Sequence, residues 1–140
     1  MIYLASPYRH PNPEVMARRA RLAALATARI IAETGQPVFS PIVQATALLR
    51  MTTGIIPKDF NWVSWDLQML ERATELRILL IDPDGFFQSQ GVQAERRFAL
   101  EHGMPVTYAR PEEPCRTIPA DQILDNLDWI RYEARMKGIS

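Results

Sequence analysis

The chain has 140 residues, sixteen Lys and Arg against sixteen Asp and Glu, 47% apolar and 23% charged residues. This is the profile of one globular domain over residues 1–140, and its zero formal net charge argues against bulk binding to nucleic acid or to an anionic membrane. Cys115 stands alone and His10 and His102 show no ligand spacing, so disulfides, metals and cofactors are not expected, and a reducing, cytoplasmic setting is.

The apolar run 1–6 is too short for a helix, a signal peptide or a membrane span, and predicts a buried strand. Residues 7–13 form a loop around Pro7, Pro11 and Pro13. Residues 14–34 read as an amphipathic helix: Val15, Leu22, Leu25, Ala26, Ile30 and Ile31 share a face. Arg18, Arg19, Arg21 and Arg29 fall mostly off that face, which a solvated helix side explains, and Gly35 stops the helix. A short strand at 36–41, a short helix at 42–51 and a loop at 52–59 follow. Residues 60–74 predict a second amphipathic helix with Trp62, Trp65, Met69, Leu70 and Ala73 as its stripe.

The run 76–81 is the clearest strand, apolar except for Arg77, as burial on both faces of a parallel sheet requires. A loop at 82–90, a helix at 91–102 stopped by Gly103, a strand at 105–108, a polar segment at 110–119 and a helix at 120–137 complete the chain. The order predicts an α/β fold, a doubly wound, mostly parallel sheet with helices on both faces, of the flavodoxin or Rossmann kind. Ligands of such sheets bind beyond the strand carboxyl ends. That directs attention to residues 6–13, 40–44 and 82–90.

In the last of these, Ser89 is an apt N-cap and Gly91 lets a ligand approach the backbone, so the helix start suits an anion such as phosphate. Glu95, a turn or two further on, is either a reactive carboxylate facing the same sheet end or a solvated Glu in a helix start. Asp66 lies between Trp65 and Leu67; half-buried, its pKa would rise and suit proton transfer, whereas on the surface it would do nothing. Tyr3 is either core or a hydroxyl that orients a carboxylate. Arg9, in the first loop, could fork onto a phosphate. No Walker, GxGxxG or GxSxG motif is present, and Cys115 has no activating neighbour in sequence.

Three motifs in order resemble the nucleoside 2-deoxyribosyltransferase-like superfamily, in particular the nucleoside 5'-monophosphate N-glycosidases and a bacterial and phage branch. Ile2-Tyr3-Leu4-Ala5-Ser6-Pro7-Tyr8 looks like its opening strand and substrate loop, and Trp65-Asp66-Leu67-Gln68-Met69-Leu70-Glu71-Arg72-Ala73 resembles the helix bearing its Asp. Ser89-Gln90-Gly91-Val92-Gln93-Ala94-Glu95 looks like the motif ending in its nucleophilic Glu, and the likeness runs from about residue 2 to about residue 108. Ser89 stands where the transferases carry an Asp, as in the monophosphate hydrolases; the first loop lacks the glycine-rich form of those hydrolases.

The resemblance implies N-glycosidic cleavage of a (deoxy)nucleoside 5'-monophosphate, with base exchange by a deoxyribosyltransferase as the alternative. Glu95 would attack C1', Tyr3 would hold Glu95, and Asp66 would assist the leaving base. Ser6, Tyr8, Arg9, Ser89 and Gly91 would bind the substrate, and Tyr8, Trp62 and Trp65 are candidates to stack on the base. A non-catalytic nucleotide-sensing module is the reading of a different class; paired Asp66 and Glu95 speak against it. The expected partners are a small nucleotide or nucleoside and a second copy of the chain, since superfamily members assemble as dimers or larger and helix 60–73 offers apolar surface for such a contact.

Overall fold

A computed structural model of the chain describes residues 1–81 and 83–111. Cys115, the helix expected at 120–137 and all but the start of the polar segment at 110–119 lie outside the described residues. Four strands, β1 (Ile2–Ala5), β2 (Val38–Phe39), β3 (Glu75–Leu79) and β4 (Val106–Ala109), form one sheet in the order β2-β1-β3-β4. Every pairing is parallel, with Tyr3 opposite Phe39 and Leu76, and Ile78 opposite Ala5 and Tyr108. This is a single-domain α/β fold of the kind expected, and its strand order follows the doubly wound pattern.

The helices are α1 (Pro13–Thr34), α2 (Pro41–Met51), α3 (Trp62–Glu71), α4 (Pro83–Gln88) and α5 (Gln90–Glu101). Local chemistry sets their starts. Asn12, Ser40, Asn61 and Ser89 are N-caps whose side chains accept the N–H of Glu14, Val43, Ser64 and Val92, and Pro occupies the first turn of α1 and α2. Gly35 closes α1 in the left-handed region at φ 68°. Strand alternation divides the core into two layers. Ile2, Leu4, Leu79 and Ile81 pack with Ala26 and Ile30 of α1, whereas Tyr3, Ala5, Leu76, Ile78 and Leu80 pack with Leu70, Phe86, Val92 and Ala99 on the other face.

Two expectations need correction. The loop expected at 82–90 contains α4: Pro is tolerated where a helix begins, and burying Phe86 against Tyr108, 6.0 Å between ring centres, draws the segment into a turn of helix. Ser89 then donates its N–H to the Gly85 carbonyl, and Gln93 Nε2 donates to the carbonyl of Phe86, which joins α4 to α5. The strand expected at 36–41 shrinks to two residues because Pro37 and Pro41 cannot donate and Ser40 is committed to capping α2. No helix among the described residues is long and apolar enough to cross a membrane.

Arg77, the one charge in the apolar run, is only 5% exposed. Its guanidinium donates through Nε and Nη2 to Glu75 Oε2 at 3.2 Å, and through Nε to Thr107 Oγ1 at 3.3 Å; Thr107 in turn donates to Glu75 at 2.6 Å. Removing one member leaves a buried charge uncompensated. We expect Glu75→Ala to destabilise the fold by about 3 kcal/mol, and Arg77→Met added to it to recover most of that loss, read from urea unfolding. A double variant less stable than Glu75→Ala would show that Arg77 acts through packing of its stem.

Candidate functional site

Because the sheet is parallel, helices that lead into or out of its strands run back against them. The N-termini of α3 and α5 therefore stand at the carboxyl edge, and each carries one acid in its second turn: Asp66 on α3 and Glu95 on α5. Between them Tyr3 rises from β1, wholly buried, its ring 5.6 Å from that of Phe39. β1 and β3 flank the point at which the strand order reverses, which is where a doubly wound sheet opens a crevice.

Tyr3, Asp66 and Glu95 form one electrostatic unit. Burial raises the Glu95 carboxyl from 4.5 to about 7; the Tyr3 hydroxyl facing it pulls the other way, and the charge of Asp66 adds a further upward push. Burial likewise raises Asp66 from 3.8 to about 6. The Tyr3 hydroxyl is driven far above its ordinary value, first by burial and then by the charge of Glu95 and the contact with it, so it stays protonated and can only donate to that carboxylate. The contact is close enough for each to influence the other, yet it falls short of regular hydrogen-bond geometry: Tyr3 Oη and Glu95 Oε2 are both buried without a hydrogen-bond partner. Ser6 Oγ, at the end of β1, is in the same condition.

Beside this unit lies a cleft of about 580 Å³. Tyr8, Arg9, His10, Pro11 and Arg19 line one side, and Gly85, Gln88, Ser89, Gln90 and Gly91 the other. Gly91 connects cleft and acid. It lies one turn before Glu95 on the same row of α5, and a Cβ built there would stand 3.8 Å from Glu95 Oε1 and 4.0 Å from Ser89 Oγ. Ser89 Oγ accepts the Val92 N–H at 3.2 Å, as an N-cap does. The expected substrate residues Tyr8, Arg9, Ser89 and Gly91 thus share one cleft, the expected catalytic residues Tyr3, Asp66 and Glu95 share the adjoining cluster, and Ser6 ends the strand that bears Tyr3.

One residue escaped the sequence reading. Arg19, assigned to a solvated helix side, is only 5% exposed, and its Nη1 donates to the Arg9 carbonyl at 3.0 Å, fixing the first loop from below. The signal was present, since Arg19 falls in register with Ala23, Ala26 and Ile30 on the buried face of α1. Glu95 is not the solvated helix-start Glu of the alternative reading, since its Oε2 is buried; Val92, not Glu95, occupies the capping-box position. The two tryptophans separate as well. Trp65 packs against the core and lines a surface groove with Phe60, Gln68, Met69 and Arg72, whereas Trp62 rests on other aromatic rings.

Residues 1–110 match the family model described as "Domain of unknown function (DUF1937)", and the chain belongs to that family. No curated protein matches it.

The folded chain keeps the Glu95 proton up to about pH 7, while the unfolded chain releases it near 4.5. Stability from this group is therefore present below 4.5 and is lost as pH rises through 7, a difference of roughly 3 kcal/mol at most. We expect Glu95→Gln to raise stability at pH 8 by roughly 1–3 kcal/mol and to change it little at pH 4, compared by urea midpoints. A variant less stable than the parent at pH 8 would make Glu95 a structural partner instead.

Proposed function

We propose that this member of the DUF1937 family is an N-glycosidase that cleaves the base–sugar bond of a (deoxy)nucleoside 5'-monophosphate, with Glu95 as nucleophile. The observation that carries the reading is the trio of buried, unpartnered polar atoms, Tyr3 Oη, Ser6 Oγ and Glu95 Oε2, at one edge of the sheet. A fold does not leave such atoms unsatisfied for stability, since each costs on the order of 1–3 kcal/mol. The likeness of the three motifs to nucleoside 2-deoxyribosyltransferase-like proteins supports the same assignment.

In this mechanism a Glu95 oxygen forms a bond to C1' as the bond from C1' to the base nitrogen breaks, and the electron pair of that bond leaves with the base. Asp66, held partly protonated by burial, delivers a proton to the departing ring. Tyr3 donates to Glu95 and fixes the carboxylate that attacks. Water then adds at C1', Asp66 takes its proton, and the sugar leaves Glu95 with the 5'-phosphate still attached. The phosphate lies in the cleft between Arg9 and the start of α5, where first-turn N–H groups and the helix dipole favour an anion. Ser89 there adds no negative charge to repel it.

Base release from a panel of nucleotides, followed by chromatography, tests the reading. We expect a 5'-monophosphate to be cleaved roughly 10²-fold faster in kcat/KM than the bare nucleoside, and Glu95→Gln to lose at least ~10³ of that rate while remaining folded. Faster turnover of the nucleoside, with exchange onto a second base outpacing hydrolysis, would instead indicate a deoxyribosyltransferase.

The pH profile provides a separate check. Glu95 must be ionised, which needs pH near or above about 7, and Asp66 must be protonated, which needs pH near or below about 6. We expect a bell-shaped kcat/KM with its maximum between those values, the two limbs belonging to the coupled pair. A plateau extending to pH 9 would remove Asp66 from the role of proton donor.

A further inference from the structure

The glycosidase reading leaves three aromatic candidates for the base, Tyr8, Trp62 and Trp65, and the first turn of α3 distinguishes among them. The face of α3 turned to the protein interior runs from Trp65 through Met69, Asp66 and Leu70 to Leu67, all of them half-buried or buried, with Asp66 at its middle. Trp62 is one turn before Asp66 and about 40° around the helix from it, so it belongs to this face. Leu70, one turn after Asp66, is buried in the core. The row therefore passes from apolar core at Leu70, to the acid, to an indole about 6 Å further along the axis toward the carboxyl edge. Helical side chains lean toward their own N-terminus, which carries both Asp66 and Trp62 toward that edge.

Trp62 is half-buried, but other aromatic rings provide its recorded ring contacts. The Phe60 ring meets it edge-on, 4.8 Å away and at 74°, and the Trp65 ring lies 6.3 Å away at 51°. Trp65 also meets the Phe60 ring edge-on, 5.8 Å away and at 66°, but it packs against the core and lines the surface groove with Phe60 and Met69. An indole steadied by two neighbouring rings, one helical turn beyond the acid assigned to the leaving group, is a prearranged surface for a flat heteroaromatic ring.

We propose that Trp62 is the residue on which the base stacks, with Asp66 reaching the edge of the same base. The identity of the ligand rests on the glycosidase reading; the stacking surface rests on the placement of Trp62. Stacking uses the π-face that every base possesses, so this surface accepts purines and pyrimidines alike and favours purines by their larger area.

The test uses the full chain carrying Glu95→Gln, so that nucleotide is not consumed, titrated with adenosine 5'-monophosphate, cytidine 5'-monophosphate, free adenine and ribose 5-phosphate. Calorimetry gives affinity and intrinsic fluorescence reports the indoles. Adding Trp62→Ala should weaken adenosine monophosphate about 10- to 100-fold and cytidine monophosphate less, while ribose 5-phosphate stays within about twofold. Adding Trp62→Phe should keep the adenosine monophosphate affinity within about threefold, because a phenyl ring still stacks, yet remove most of the fluorescence quench. Trp65→Phe should leave the quench in place.

The inference is overturned if Trp62→Ala leaves nucleotide affinity unchanged, if it weakens ribose 5-phosphate equally, or if the quench follows Trp65. Should the wild-type chain release no base from any nucleotide yet bind adenine with a Trp62-dependent quench, the glycosidase reading fails and the stacking surface stands. Binding of neither base nor nucleotide overturns both.

Discussion

All four strands of the sheet point the same way, and the position of every other functional element follows from that. A parallel strand can be reached only by a crossover that returns the chain to the starting edge, so α3 and α5 both run against the strands. Their N-termini are brought to the carboxyl edge, where the backbone N–H groups of a first turn are unsatisfied and the dipole is positive. The loop after β1 ends at the same edge. Arg9, Asp66 and the Ser89–Glu95 segment are separated by tens of residues in sequence but meet in one region for this topological reason.

The same arrangement makes the acids costly. Each lies one turn below its helix end, far enough in for neighbouring side chains to strip away water, and desolvation outweighs every favourable local influence on Glu95. The contrast with Arg77 is instructive. That residue is also buried and charged, yet Glu75 and Thr107 satisfy its guanidinium on the α1 side of the sheet. Satisfied charge contributes to the architecture; the poorly satisfied carboxylate of Glu95 is instead pushed by burial to a pKa of about 7.

Arg19 links α1 to the first loop. Its guanidinium emerges from the apolar face of α1 and reaches the carbonyl of Arg9, so the helix that packs one sheet face also sets the height of the loop over the cleft. A second tie, from Arg29 Nη1 to the Pro111 carbonyl at 2.8 Å, secures the far part of the same helix to the chain beyond β4. Stiff packing on one face of the sheet is thereby transmitted to the cleft at its edge.

The sequence by itself determined most strands and helices of the described chain, α4 and the extent of β2 excepted, because their signals are local. Short, nearly continuous apolar runs marked β1 and β3, Gly35 marked the end of α1, and Ser89 marked the start of α5. It determined the candidate acids too, since Asp66 between Trp65 and Leu67, and Glu95 behind a capped helix start, can be read from a short window. Only the tertiary structure decided what depends on non-local neighbours. Helix α4 forms because Phe86 packs against Tyr108, which the parallel register Ile78–Tyr108 brings in from β4. Arg19 reaches the Arg9 carbonyl because the first loop folds back over α1, and Trp65 parts from Trp62 because, among the described residues, it is the one packed against the core. Above all, whether Asp66 and Glu95 were solvated or desolvated could not be read from their spacing, because a carboxylate's pKa is set by the water it loses, and that loss is decided by residues brought in from elsewhere in the chain.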